Sequence, residues 1–381
     1  MAIQYHLKDS DTGNFFVRLR TNPDNTLSAT EIRKPGLPAE WFPQSAVQLT
    51  WPHKDTDWAP ILKEVTTCYI RMALEIALRE QLLIVTPEPQ NVKELLEQHL
   101  PQQALKNISF YGIETNDTWA RDHGFLTTLS EKGAMLLDFK FNGWGEKFEA
   151  TLDNQICRRM MEMGILKGTY CNHLDFVLEG GSIESDGMGT ILTTRHCLMA
   201  PHRNQPLTQE DIEKRLLEAF GAQQVLWLEH GYLAGDDTDS HIDTLARLCP
   251  NNTIAYVQCT DQNDEHYAEL KAMEEQLSTF RTLEDEPFRL IPLPMAAPAY
   301  DDEGDRLPAT YANFLVVNGA VLMPTYGKDE LDELAKKQLQ KAFPKHEIIG
   351  IDCQALILQH GSLHCCTMQF PVGVVEQKTN N

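Results

Sequence analysis

The segment FLVV (314–317), NG (318–319), AVLMP (320–324), followed by DELDELAKKQLQKAF (329–343) and HEIIGID (346–352), decides the fold. Two apolar runs around Asn-Gly are the strongest short signal for a two-residue β-hairpin. From Asp329, the residues Leu331, Leu334, Leu339 and Phe343 recur at helical spacing. The apolar run that follows closes a unit of strand, strand, helix, strand.

Working outward, the same unit recurs. Helices are predicted to begin near Glu149, Thr208, Asn263 and Asp329, roughly 55 to 65 residues apart. In the second, Ile212, Leu216, Leu217 and Phe220 share a face, and Thr208 with Asp211 reads as a capping box. The preceding hairpins are GFLTTL/AMLLDF around Glu131 to Gly133, SIESD/TILTT around Gly187 to Gly189, and LARLC/IAYVQC around Pro250 to Asn252. The closing strands are HLDFVL, QVLWLE, FRLIPLP and HEIIGID. A further helix pair, within 57–81 and at 91–100, flanks the strand LLIVTP. About five αβ units of this size are expected to close on an axis, because each buries its face only against its neighbours. An open α/β sheet is the alternative. FFVRLRTNPDNTLSATEI reads as a hairpin around Asn22 to Asn25. The expected organisation is an N-terminal extension (1–36), one catalytic domain (37–375) and a C-terminal tail (376–381).

Composition narrows the function. The chain has 381 residues, 33 Lys plus Arg and 55 Asp plus Glu, giving a net charge of −22. That argues against a nucleic-acid partner, which needs a basic footprint, and suits a cationic ligand steered inward. No run reaches the length of a membrane helix, and MAIQYHLKDSD lacks the apolar core of a signal peptide. Nine cysteines without a CxxC pair suggest neither a disulfide framework nor a zinc ribbon. The expectation is a cytoplasmic protein with reduced thiols. A homodimer is a reasonable guess for a soluble enzyme.

After each unit's last strand lies a polar junction: NDTWARDHG (116–124), LEGGS (178–182), GDDTDSHID (235–243), 296–306 with Tyr300, Asp301, Asp302 and Asp305, and QHGSLHCC (359–366). Units arranged about an axis bring these junctions to one end, where scaffolds carry function. Taken singly, each residue reads as ordinary. Cys365 and Cys366 read as core, His241 as surface or core, Asp122 as a salt bridge with Arg121, Trp119 as core, and the glycines after Glu179 as turn chemistry. Cys365 and Cys366 fall in a strand-like run, so at most one faces the site. Together, a thiol, an imidazole and several carboxylates suit attack on the carbon of a guanidinium, whose planar fork of donors pairs with carboxylates. A metal is not called for, since zinc spacing is lacking.

These junction motifs, with YANFLVVNGAVLMPTYG and the opening LPAEWFPQSAVQLTWPH (37–53), resemble the agmatine deiminase family, also described as the Porphyromonas-type peptidylarginine deiminase family. The resemblance spans about residues 37 to 371. It implies an α+β fold: the five-bladed α/β-propeller of ββαβ units found in guanidino-modifying enzymes (the pentein fold). By motif it implies Cys365 as nucleophile, His241 as general acid/base, Asp122 and Asp243 as the carboxylates gripping the guanidinium, Trp119 beside the substrate, and Glu179 lining the site. It implies no cofactor. The chain departs from the family at Asp239-Ser240 before His241, at Gln359 to Leu363 before His-Cys, and at Phe125. These positions bear on the far end of the substrate. An amine there could meet Asp236, Asp237, Asp239 or Asp301, whereas a carboxylate would need Arg247 or Arg306. The implied reaction is agmatine plus water to N-carbamoylputrescine and ammonia, through an amidino-thioether. The alternatives are deimination of arginine, peptidylarginine or another guanidino compound, an amidinotransferase, and an inactive guanidinium binder.

Overall fold

The structure, a computed structural model, describes residues 3–8, 15–21, 27–32, 36–130 and 132–376. Five small sheets carry the repeat. In four of them an antiparallel hairpin is followed by a helical crossover and a third, parallel strand, the return that a crossover imposes. They are Leu126–Ser130, Gly133–Lys140 and Thr169–Val177; Ile183–Ser185, Thr190–Thr194 and Gln224–Leu228; Ala246–Cys249, Thr253–Gln258 and Arg289–Pro294; and Leu315–Val317, Ala320–Thr325 and Glu347–Asp352. The remaining sheet takes strands from both ends of this region. Thr367–Pro371 pairs antiparallel with Gln44–Thr50, which continues in parallel to Gln81–Thr86 and Ile108–Gly112. The C-terminal strand thus completes the first blade and closes the five-bladed α/β-propeller.

Burial is graded outward. The innermost strand Ala246–Cys249 is wholly buried, whereas the outermost strand Glu347–Asp352 alternates exposed and buried positions. Inner strands therefore supply the axis and outer strands the half-solvated rim. Apolar clusters fill the seams between blades. One joins Phe139, Phe176, Ile191 and Phe220, and another joins Leu83, Val85, Phe125, Leu136 and Phe370.

The helices follow local chemistry. Gln209–Phe220 has the expected capping box of Thr208 and Asp211, and ends at Gly221 with φ of 60°. Two helices begin later than the sequence suggests. Near Glu149 the chain first makes a turn, and the helix spans Ile156–Glu162, because the Asp153 carboxylate accepts the amides of Asn116 and Asp117 instead of capping a helix. Near Asn263, Asp261 and Asp264 accept amides two residues on, and the helix spans Tyr267–Thr279. On Asp329–Ala342 the buried face is Ala335, Leu339 and Ala342, while Leu334 is exposed. The small alanines let that helix approach its sheet closely.

At the N-terminus, Phe15–Thr21 and Leu27–Ile32 form the expected hairpin, and Ile3–Lys8 adds a third strand. Its turn at Asn22 to Asn25, Glu131 of the later hairpin turn, and tail residues 377–381 lie outside the described residues.

Candidate active site

Four junctions meet at one end of the axis, and Gly181 marks where. A Cβ added there would lie 2.6 Å from His241 Nδ1, 2.9 Å from Asp122 Oδ1 and 3.3 Å from Asp243 Oδ2. The Gly-Gly pair after Glu179 is therefore a matter of space, since a side chain on Gly181 would stand among the polar groups. The Gly181 amide donates to Asp122 Oδ1 at 2.9 Å, joining the first junction to the second.

Cys365 belongs to the short 3-10 turn His364–Cys366, not to a strand. Its Sγ lies 3.9 Å from Asp243 Oδ2 and 3.4 Å from Asn313 Oδ1. Cys366 points away, its Sγ against the Ser362 carbonyl at 3.4 Å. The opposed faces expected of the pair hold, for turn rather than strand geometry. Asn313 Oδ1 also accepts the amides of His364 and Cys365, fixing the turn that presents the thiol. Asn313 was missed as a functional residue, although it lies within a quoted motif. Its blade reaches the site through Asn313 and not through the acids of 296–306.

The two carboxylates have opposite environments. Asp122 is pushed up by burial, and its Oδ2 accepts the Trp144 indole N–H at 3.0 Å. Asp243 is held down despite burial, because His364 Nδ1 contacts its Oδ2 at 2.7 Å. Asp243 Oδ1 is buried without a hydrogen-bond partner among the described residues. His364 in turn contacts Glu40 Oε2 at 2.6 Å through Nε2. Burial opposes ionisation of Glu40, yet His364 and Arg247 hold its carboxyl well below the usual range. Glu40 and His364 are further residues missed in the sequence.

His241 is fully buried, and among the described residues the Cys197 thiol is the one group near enough to bond its ring. Its Nδ1 is 3.7 Å from Asp122 Oδ1. Burial disfavours the imidazolium, but Asp122, Cys197 and Glu179 raise it well above the usual histidine range. Cys365 is pushed the other way from reactivity. Burial raises its thiol, and the fields of Asp243 and Asp122 raise it further. Without a cation between the carboxylates, the thiol keeps its proton.

Trp119 is buried, donates to Asp117 Oδ2 at 3.0 Å, and leans on Trp58 with ring centroids 5.5 Å apart. Gly361 lies so close to its face that a Cβ would come within 2.3 Å of the ring. Glu179 is fully buried. Arg203 Nε donates to its Oε1 at 2.7 Å, and Arg203 also reaches Asp239 Oδ2 at 2.9 Å. Trp144 reaches Asp122 from a left-handed turn in which Gly143, Trp144, Gly145 and Glu146 all have positive φ, from 57° to 85°. For Trp144 and Glu146 that conformation costs on the order of 1 kcal/mol each.

At the mouth, the candidates for the far end of a substrate separate. Asp236 caps Thr238 and Ser240. Asp239 is taken by Lys147 and Arg203. Asp301 Oδ1 accepts the amides of Glu303 and Asp305 within its own turn. Asp237 is partly exposed, 3.9 Å from His360 Nδ1, and its carboxyl is raised chiefly by burial. Neither arginine is free for a carboxylate. Arg247 is buried at the axis, bound to Glu184, Glu40 and the carbonyls of Ala312 and Phe314. Arg306 is bound to Asp264 and Glu265.

Residues 36–371 match the family model of the Porphyromonas-type peptidyl-arginine deiminases. A structure from Porphyromonas gingivalis, provisionally described as an arginine deiminase, superposes with a TM-score of 0.85 at 51% identity, covering 90% of this chain and all of that one. A C. jejuni agmatine deiminase, solved as a Cys→Ser variant with substrate bound, gives 0.82 at 38% identity, covering 90% of this chain and 98% of that one. The agmatine deiminase of Stutzerimonas stutzeri is 30% identical over 368 residues, 89% of this chain and 96% of its own. With the match running through every blade and every junction described above, the chain belongs to the Porphyromonas-type peptidyl-arginine deiminase family.

Proposed function

We propose that the protein is a hydrolase that deiminates agmatine to N-carbamoylputrescine and ammonia, with Cys365 as nucleophile. The observation that carries this reading is the convergence of Asp122, His241 and Asp243 around Gly181, with the Cys365 thiol beside Asp243. Relatives that are agmatine deiminases support it at full length.

The chemistry follows from the electrostatics. A guanidinium seated between Asp122 and Asp243 adds a positive charge to that of the His241 imidazolium. Its charge offsets their fields at Cys365, and the thiol gives up its proton to solvent as the substrate binds. The thiolate attacks the guanidinium carbon. His241, held as the imidazolium, protonates the departing nitrogen, which leaves as ammonia. Neutral His241 then takes a proton from water, whose oxygen adds to the amidino carbon of the thioether. Collapse of that adduct expels the sulfur, which takes up the hydroxyl proton to restore the thiol, and leaves the ureido product. Asp243 offers Oδ1 because His364, backed by Glu40, occupies Oδ2. Glu179 is held in place beside His241 by Arg203.

An amine end suits the mouth better than a carboxylate, since Arg247 and Arg306 are both engaged. We assign the amine to Asp237, whose carboxylate has no hydrogen bond among the described residues. Residues 37–375 form the catalytic unit in this reading, with 1–36 appended. Nine free cysteines fit a reducing cytoplasm. The proposed assembly is a homodimer, to be checked by light scattering.

The test is to incubate purified protein with agmatine, arginine and a blocked arginine peptide, and to measure ureido product. Product from agmatine is expected, none from Cys365→Ala, and substantial turnover from Cys366→Ala. Turnover of arginine alone would sink the agmatine assignment.

A further inference from the structure

One buried thiol beside the proposed chemistry has no part in it. Cys197 lies in the short helix Arg195–Leu198 and is fully buried. Its Sγ, a ring nitrogen of His241 and a carboxylate oxygen of Glu179 all lie within 4.8 Å of one another. All three residues are 0% exposed. Among the described residues, Oε2 of Glu179 has no hydrogen-bond partner, and the one group close enough to His241 to bond it is the Cys197 thiol, itself a member of the cluster. A second cluster, Glu40, Glu184 and His364, has similar spacing, but Arg247 binds both of its carboxylates. In the first cluster Arg203 takes only Oε1 of Glu179 and leaves Oε2 without a partner among the described residues.

We propose that Glu179, Cys197 and His241 form a binding site for a thiophilic divalent cation such as Zn2+, and that its occupation blocks the enzyme. Sulfur, imidazole nitrogen and one carboxylate oxygen form a three-ligand set that zinc accepts, with a fourth position left to water. Around a tetrahedral ion with bonds of 2.0 to 2.3 Å, donors stand about 3.5 Å apart, so donors within 4.8 Å of one another need to close by at most about 1.3 Å. Arg203, donating to Glu179 Oε1, leaves Oε2 as the ligand atom and fixes the carboxylate from behind. Binding releases the proton of the Cys197 thiol and any proton on His241. Access is no obstacle, since a route that admits a guanidinium to His241 admits an ion. The ligands come from positions 179, 197 and 241, so no short zinc spacing betrays them in the sequence. The ion is no cofactor here, because it takes the imidazole that the hydrolysis needs. This blocking effect and the route of entry rest on the role proposed for His241, whereas the ligand geometry does not.

The test therefore begins with binding. Equilibrium dialysis of the Cys365→Ala protein against buffered Zn2+ should find one tight equivalent. Cys197→Ser and Cys197→Ala on that background should each weaken it by about tenfold or more. With Co2+ as probe, a near-ultraviolet thiolate-to-cobalt band should appear in Cys365→Ala and vanish when Cys197 is also replaced. Melting curves verify that each variant is folded. In the unmodified protein Zn2+ should inhibit agmatine hydrolysis reversibly on chelation, and Cys197→Ser should raise the inhibitory concentration relative to its own metal-free rate. A band that survives loss of Cys197, or depends on Cys365, overturns the site. If no variant hydrolyses agmatine while the binding pattern holds, the proposed function fails and the site stands.

Discussion

Replacing Gly181 with alanine tests the assembly of the site through a single methyl group. The added Cβ would sit 2.6 Å from His241 Nδ1 and 2.9 Å from Asp122 Oδ1. Ordinary non-bonded contact is about 3.5 Å, so the imidazole must retreat by about 0.9 Å and the carboxylate by about 0.6 Å. Displacement of reacting groups by about 1 Å costs roughly 100-fold in rate. That corresponds to about 2.7 kcal/mol of barrier. Overpacking itself costs about 1–3 kcal/mol of stability, so the fold should survive. The assay is steady-state production of ureido product from agmatine, with thermal melting in parallel. Gly112→Ala is the control, because its Cβ would meet only Pro89 at an ordinary 3.5 Å. The expected result is a Gly181→Ala enzyme that melts within a few degrees of the parent and loses roughly two orders of magnitude in kcat/KM. If it retains kcat/KM within threefold of the parent, His241, Asp122 and Asp243 do not act around that point, and the reasoning is wrong.

Three further outcomes follow from the same geometry. Glu40→Gln and His364→Asn should loosen Asp243, raising KM for agmatine more than they lower kcat, and Cys365 labelling should persist in both; a purely structural role would instead lower the melting temperature with kinetic constants unchanged. In the free enzyme at pH 7, iodoacetamide should label Cys365 slowly, with the rate rising through pH 9 and above, because burial and two carboxylates push the thiol up; fast labelling at neutral pH would contradict a thiol that waits for its substrate. Burial raises the Glu80 carboxyl from 4.5 to about 8, so the folded state holds a proton that the unfolded chain releases, and stability should fall as pH rises from about 4.5 to 8 by an amount on the order of a few kcal/mol. Glu80→Gln, which keeps an oxygen for Asn318, should flatten that slope in melting curves across the interval.

The repeat was legible because each unit carries its own local signals: Asn318-Gly319 for a hairpin, Thr208 with Asp211 for a helix start, apolar runs for closing strands. Helix starts near Glu149 and Asn263 were misplaced because Asp153, Asp261 and Asp264 spend their carboxylates on turns, which apolar periodicity does not register. The side chains proposed to react could be chosen by type and junction, and the structure brings them together, yet the residues that support them were not legible. Glu40, Asn313 and His364 come together only through closure of the ring. Arg247 offered a clue, since a charge inside the apolar strand LARLC signals a buried partner. Trp144 offered another, since Gly-Trp-Gly suits a left-handed turn. Among the acids, side-chain type could not tell Asp237 from Asp236, Asp239 and Asp301; their hydrogen bonds could.

The strand that completes the first blade also sets the order in which the enzyme comes into being. Ser45 bonds to Pro371 across 326 positions of chain, and Cys365 stands two residues before that strand begins. During synthesis, Asp122, His241 and Asp243 emerge long before the thiol. Pairings this distant form late, because the loop they close must first be ordered. The nucleophile is therefore set in place by the same event that locks the ring. A chain cut between Cys365 and Thr367 has all four of these side chains and no closing strand to hold the sulfur against the rest. Activity in this architecture is a report of completion: a molecule that turns over substrate is one whose two ends have met.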